Sequence, residues 1–188
     1  MIPAGDKIEK TYRINDSRSP VAVATLASDF EKFNLTGYAI LGCVFTENLG
    51  VQLAITNMLK FPNIRYLILC GKESQHLAGD AFKCLHENGV ARIGTFRKII
   101  GCKSPLPFID DIPEWAIDEY QDSIIIIDMM GIEDNASIQR KIDECSEEFK
   151  KTPVVRPAMD TGMPEVDEYT WKKYAPIVER EMMKKLAK

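Results

Sequence analysis

Short apolar runs alternate with amphipathic runs along most of this chain, and that alternation predicts its elements. Residues 21–26, 38–45, 64–70 and 123–128 are compact and apolar, and each predicts a buried strand. Ile124, Ile125, Ile126 and Ile127 are apolar on both faces, as a covered parallel strand requires. Residues 97–101 predict a weaker strand. Helical spacing predicts helices over 47–60, 77–88, 113–121 and 134–150, and Asn88-Gly89 is a normal helix stop. Strands alternating with helices predict an α/β fold, a Rossmann-like and mostly parallel sheet flanked by helices. Residues 1–19 read as a polar, loose lead-in, and the α/β domain covers 1–151. Prolines and a glycine between 152 and 164 predict a linker. Residues 169–188 are charged and amphipathic, with Pro176 placed to start a helix. Residues 152–188 are thus expected to be a linker and a C-terminal helical extension packing on the same domain.

Two strand-to-helix junctions stand out. At the first, Thr46-Glu47-Asn48-Leu49-Gly50 separates an apolar run from an amphipathic one. Thr46 can cap the new helix and Glu47 favours its positive end. At the second, Gly71 ends a strand and a polar loop, residues 72–76, leads into the next helix. Such junctions lie at the carboxyl edge of an open sheet, where α/β proteins bind ligands. His76, one of two histidines, stands at that edge. On the residues alone it reads more readily as a polar loop side chain with no role.

Composition narrows the classes. With 188 residues, 45% of them hydrophobic, the chain can bury one sizeable core. A net charge of −4 gives no footprint for nucleic acid. Cys43, Cys70, Cys84, Cys102 and Cys145 form no Cys-x-x-Cys pair. An odd count without a signal peptide implies a reducing, cytoplasmic setting. Cys43, Cys70 and Cys102 fall near strand ends, where a shared metal site competes with a reading as small buried hydrophobes. The longest apolar runs are strand-length, below the roughly 18 residues of a spanning helix. No transmembrane span is therefore expected, and peripheral membrane contact through the C-terminal helix stays open. Asp110, Asp111 and Glu114 read as charge at a helix start, not as a catalytic pair. No Ser-His-Asp set, Walker loop or zinc-hydrolase motif occurs.

Ordered blocks add a resemblance. Residues 20–28 (PVAVATLAS), 46–50 (TENLG) and 62–71 (PNIRYLILCG) come first. Glu73, His76 and Gly79, then 85–90 (LHENGV), 99–101 (IIG) and 107–114 (PFIDDIPE), follow in order. Together they resemble the A-subunit family of tetrahydromethanopterin S-methyltransferase, collinear from about residue 20 to about 148. The resemblance implies a methanogenic, archaeal methyltransferase component acting with other methyltransferase subunits, or with a methyl donor or acceptor protein. It implies a cobamide cofactor that carries a methyl group on cobalt from methyl-tetrahydromethanopterin to a thiol such as coenzyme M. It implies His76 as the lower axial ligand of cobalt, with His86 at a helix position that is not the ligand. Cofactor contacts are implied at Gly71, Glu73, Gly79, Thr46, Asn48, Gly101, Pro107 and Phe108, with no catalytic residue beyond the cofactor. The family has Gly before the ligand histidine and Thr two residues after it, where this chain has Gln75 and Ala78. Ser74, Glu73 and Asp80 are the nearest candidates for a partner on the other ring nitrogen. In the stiff loop 101–110, Leu106 and Phe108 either pack on the corrin or are buried under a crossover. Two other classes remain: a nucleotide- or phosphate-binding α/β protein using the two junctions, and a non-catalytic scaffold that has lost the cofactor.

Overall fold

The computed structural model describes residues 11–164. The predicted helix beyond residue 164 lies outside the described residues. The elements are β1 (Tyr12–Ile14), β2 (Val21–Ala24), β3 (Ile40–Gly42), α1 (Leu49–Leu59), β4 (Tyr66–Gly71) and α2 (Ala78–Asn88). They continue as β5 (Val90–Ile93), β6 (Phe96–Ile99), α3 (Glu114–Ser123), β7 (Ile125–Met130) and α4 (Asn135–Lys151). The central sheet has the order β1-β3-β2-β4-β7. β3, β2, β4 and β7 run parallel, and β1 pairs antiparallel with β3.

The period-two alternation of the strands divides the core into two layers. Ala22, Ala24, Ile40, Leu67 and Leu69 face one cluster, which α1, α2 and α3 cover with Ile55, Phe82, Leu85 and Tyr120. Val21, Val23, Leu41, Ile68 and Cys70 face the other, which α4 covers with Ile138, Ile142 and Cys145. Each large apolar side chain so buried contributes about 1.5–3 kcal/mol.

The helices stand where spacing placed them, and three corrections concern the strands and the lead-in. β7 is an edge strand rather than a covered one, and Ile125 on it is 42% exposed. An isoleucine run reports a strand, but not how many neighbours cover it. The weak strand near 97–101 is β6, which pairs with β5 in a separate hairpin and not with the sheet. The lead-in is not wholly loose: Tyr12 pairs with Gly42, where a Cβ would meet Tyr12 Cβ at 2.6 Å. The segment predicted as a linker lies against α1, with Met163 buried in the core and Met159 N–H bonded to Leu59 O at 2.9 Å.

Candidate functional site

β2 sends the chain toward β3, while its neighbour β4 sends it toward β7. The sheet therefore has its topological switch beside the carboxyl end of β4, the usual ligand crevice of an open α/β sheet. The turn that follows is built by its own side chains. Gly71 (φ +74°) leaves the strand where a Cβ would run into Thr25 O and the Ser28 side chain. Ser28 Oγ accepts from Lys72 N–H at 2.8 Å. Glu73 Oε1 accepts from the N–H groups of Ser74 (2.7 Å) and Gly79 (3.0 Å), and its Oε2 from Asp80 N–H (3.0 Å). Ser74 Oγ accepts from Ala78 N–H at 3.1 Å. A Cβ on Gly79 would meet Met130 Sδ and, at 2.7 Å, Glu73 Oε2. Glu73 and Gly79 thus shape the start of α2. Leu77 occupies the left-handed region (φ +54°, ψ +48°), a strained setting for a side chain of this size. That kink sets His76, its side chain 34% exposed, at the apex of the turn.

The first junction supplies the wall behind it. Thr46 Oγ1 accepts from Gly50 N–H (2.8 Å), and Asn48 Oδ1 from Leu49 N–H (2.6 Å). Between them Glu47 is fully buried. Its Oε1 accepts from Leu106 N–H at 2.8 Å, and its Oε2 lies 3.0 Å from His76 Nδ1. The carboxylate set beside His76 Nδ1 is thus that of Glu47, which is distant from it in sequence, whereas Glu73, Ser74 and Asp80 were the nearest candidates along the chain. Glu73 and Ser74 are spent on the turn, and Asp80 Oδ2 accepts from Lys103 N–H at 2.9 Å. What marks Glu47 is its full burial at the first junction, which only the folded chain shows. In sequence it is indistinguishable from an exposed charge at a helix start.

The segment 101–112 crosses both helix starts as a strap. Besides Glu47 and Asp80, it is held by Gln52 Oε1, which accepts from Asp111 N–H (2.6 Å) and Ile112 N–H (3.2 Å). Ser104 Oγ donates to Leu77 O at 3.2 Å, directly behind His76. Phe108 is buried and meets Phe96 edge-on at 5.7 Å, and Pro107 O accepts from Ile99 N–H at 2.8 Å. These two therefore anchor the strap to the β5–β6 hairpin, which favours the crossover reading of the loop. Gly101 (φ +77°) sits beside Asn88 at the opposite end of α2 from His76. The structure thus brings Thr46, Asn48, Gly71, Glu73 and Gly79 around His76, and sets Gly101, Pro107 and Phe108 apart. His86 Nε2 lies 2.7 Å from Ile124 O, and its ring meets Tyr120 edge-on at 5.5 Å, bridging α2 to the α3–β7 turn. Cys43 and Cys70 are buried, and burial pushes the Cys70 thiol up to about 12.

Residues 3–158 match the family model MtrA, the A-subunit of tetrahydromethanopterin S-methyltransferase. The chain is 37% identical over 166 residues to A-subunit 2 of the tetrahydromethanopterin S-methyltransferase of Methanothermobacter marburgensis, covering 85% of this chain and 89% of that protein. It is 42% identical over 138 residues to A-subunit 1 of the same organism, covering 72% of this chain but only 57% of that longer protein. It is 34% identical over 152 residues to the A-subunit of the putative methyltransferase Mtx of Methanosarcina barkeri, covering 79% and 75%. Among the described residues no helix is long and apolar enough to cross a membrane.

Proposed function

The chain belongs to the A-subunit family of tetrahydromethanopterin S-methyltransferase, and from that premise we propose that it is a corrinoid carrier in which His76 is the protein's axial ligand to cobalt. The observation that carries this reading is the seat of His76. It is a partly exposed imidazole on a strained, internally braced turn at the switch of the sheet, with a buried carboxylate at its Nδ1. A neutral imidazole with its proton on Nδ1 offers Nε2 as a lone-pair donor, which suits a first-row transition metal. The residues present fit the group. The turn needs no ligand to hold its shape, so His76 is presented in advance of binding.

A bound corrinoid supplies cobalt chemistry able to take a methyl group from a methyl-pterin and yield it to a thiol such as coenzyme M. The chain's own residues do the rest. Glu73, Ser74 and Gly79 fix the turn, and Thr46 and Asn48 fix the wall that carries Glu47. The rim of the sheet beside His76 would receive the ring. Methyl donor and acceptor come to the carrier through partner subunits, so the chain is a methyltransferase component acting in an assembly.

The phosphate-binding alternative is disfavoured by a specific observation. An anion at a helix start needs free amides. Here the leading amides of α1 are taken by Thr46 and Asn48, and those of α2 by Ser74 and Glu73.

The test is direct. Purified protein incubated with hydroxocobalamin and desalted is expected to keep a visible corrin spectrum. His76→Ala is expected to weaken retention by at least about tenfold and to shift the spectrum toward a water-ligated form. His86→Ala is expected to cost stability and leave the spectrum alone. A protein that stays colourless across several corrinoids and redox states overturns the carrier reading.

A further inference from the structure

β7 forms one edge of the central sheet, and among the described residues no strand pairs with its outer side. Its register with β4 is continuous from Ile125 to Met130. Ile125 N–H donates to Arg65 O and Gly131 N–H to Gly71 O. In a parallel ladder the backbone groups of alternate residues point the same way, so those of Ile126 and Asp128 point outward, away from β4. This window is bounded at both ends. Ile124 O lies 2.7 Å from His86 Nε2, and Met130 N–H donates to Asp128 Oδ1 at 3.1 Å. Between these ends nothing blunts the edge: the strand has no lysine, proline or bulge.

The two faces of this edge differ. Ile126 and Met130 pack toward the layer of α2, Ile127 and Met129 toward the layer of α4. Alternation sets Asp128 with the first pair and the exposed Ile125 with the second. On the α2 face the edge borders a groove of about 570 Å³, to which Asp80, Lys83, Glu87 and Asp128 contribute. Three carboxylates there oppose one ammonium, and Lys83 Nζ is already paired with Asp128 Oδ2 at 2.9 Å. One face is therefore acidic and the other apolar.

We propose that the outer edge of β7 is a docking site for an extended segment of a partner subunit, one that alternates basic with apolar side chains. Such a segment adds a strand to the sheet. Its backbone pairs with Ile126 and Asp128, its basic side chains meet the groove, and its apolar ones extend the layer of Ile125 and Ile127. A second copy of this chain fits poorly. Pairing edge to edge would set the same carboxylates of two chains beside each other, where like charges repel. Docking here does not depend on what His76 ligates, but it grips α2, whose start carries the turn of His76.

A short peptide alternating lysine with valine, its glutamate–valine counterpart, and the lysine–valine peptide with every amide N-methylated are the probes for the full chain. Fluorescence anisotropy reads affinity, and nitrogen-15 amide exchange reads the edge. The lysine–valine peptide is expected to bind at least about tenfold more tightly than either control. Its binding is expected to slow exchange at Ile126 and Asp128. Ile126→Pro removes an outward donor and leaves the ladder to β4 intact, and is expected to weaken binding at least about tenfold. If that variant does not fold, the N-methylated peptide makes the same deletion from the other side. Glu87→Lys is expected to weaken the lysine–valine peptide and strengthen the glutamate–valine one. Equal binding of lysine and N-methylated peptides means charge attraction without strand pairing and overturns the proposal, as does binding without protection at Ile126 and Asp128. Protection of both amides in the peptide-free chain also overturns it. If the chain then sediments as a dimer, a second copy is the occupant; if as a monomer, the chain covers its own edge.

Discussion

Cys70 lies at the carboxyl end of β4, one residue before Gly71, with no exposure to solvent. Burial first, and then the nearby charge of Glu133, push its thiol up to about 12. An unfolded thiol ionises near 9, so between about 9 and about 12 the unfolded chain holds fewer protons than the folded one. The stability linked to this thiol is therefore fully present below about pH 9 and is lost as pH rises toward 12. Cys70→Ala is expected to cost about 1 kcal/mol at neutral pH and to flatten this alkaline loss. Urea midpoints at about pH 8 and about pH 10.5 for both chains check it; equal alkaline shifts in the two would refute the assignment. His76 was legible from the chain because it follows a strand end. Its partner was not. Thr46-Glu47-Asn48 reads as a helix start, and only tertiary contact shows that Glu47, which follows β3, turns inward to a histidine that follows β4. Burial of an acid is a property of the packed chain, and local sequence carries no mark of it.

Helices were the most legible layer, since a 3.6-residue period depends on the segment alone. Strand number and pairing were less so. β6 has strand composition but pairs locally with β5 across Gly94, which takes a positive φ of +61° at the turn. The proline-rich stretch after α4 was legible as irregular, but its docking contacts were not. Proline and glycine show that a segment is neither helix nor strand, and say nothing of whether it docks. Arg156 docks it. Its Nη1 donates to Ile64 O (2.6 Å) and its Nη2 to Met58 O (2.9 Å), where α1 ends. Its Nε lies 3.7 Å from Glu119 Oε1, and burial lowers its pKa while Glu119 opposes that shift. A cation here meets the negative end of α1, adding a donor to Met58 O, which also accepts from Phe61 N–H, and ties it to Ile64 O in the loop before β4. Arg156→Ala is expected to cost about 2–3 kcal/mol, because it removes two part-buried hydrogen bonds from a charged donor and takes the donor from Ile64 O. Arg156→Lys keeps the charge but loses the fork, and is expected to recover only part of that. Chemical denaturation measures both, and hydrogen exchange is expected to rise at the carboxyl end of α1. A loss below about 0.5 kcal/mol for Ala would show that the cap is dispensable.

Taken together, the layers explain why the site sits on a stable platform. α1 packs on the sheet through one face, carries Thr46, Glu47 and Asn48 at its start, and is covered at its other end by residues 152–164. That last segment therefore supports the same helix whose start carries Glu47 beside His76. Met163 is buried, Met159 packs on the core, and Thr161 Oγ1 lies 2.9 Å from Thr56 Oγ1 on α1. Against these gains stands the entropy of ordering an irregular segment, about 1–2 kcal/mol per residue, which cancels much of the contact energy. The surplus is expected to be modest, about 2–3 kcal/mol. A chain ending at Lys151 is therefore expected to melt roughly 5–10 °C below one ending at Pro164. The comparison of these two chains isolates the described segment. Because the loss is transmitted through α1, the shorter chain is also expected to exchange Leu106 N–H faster, as Glu47 loosens. Equal melting temperatures would mean that residues 152–164 lie on α1 without stabilising it. A lower melting temperature with Leu106 still protected would mean that the two ends of α1 are mechanically independent.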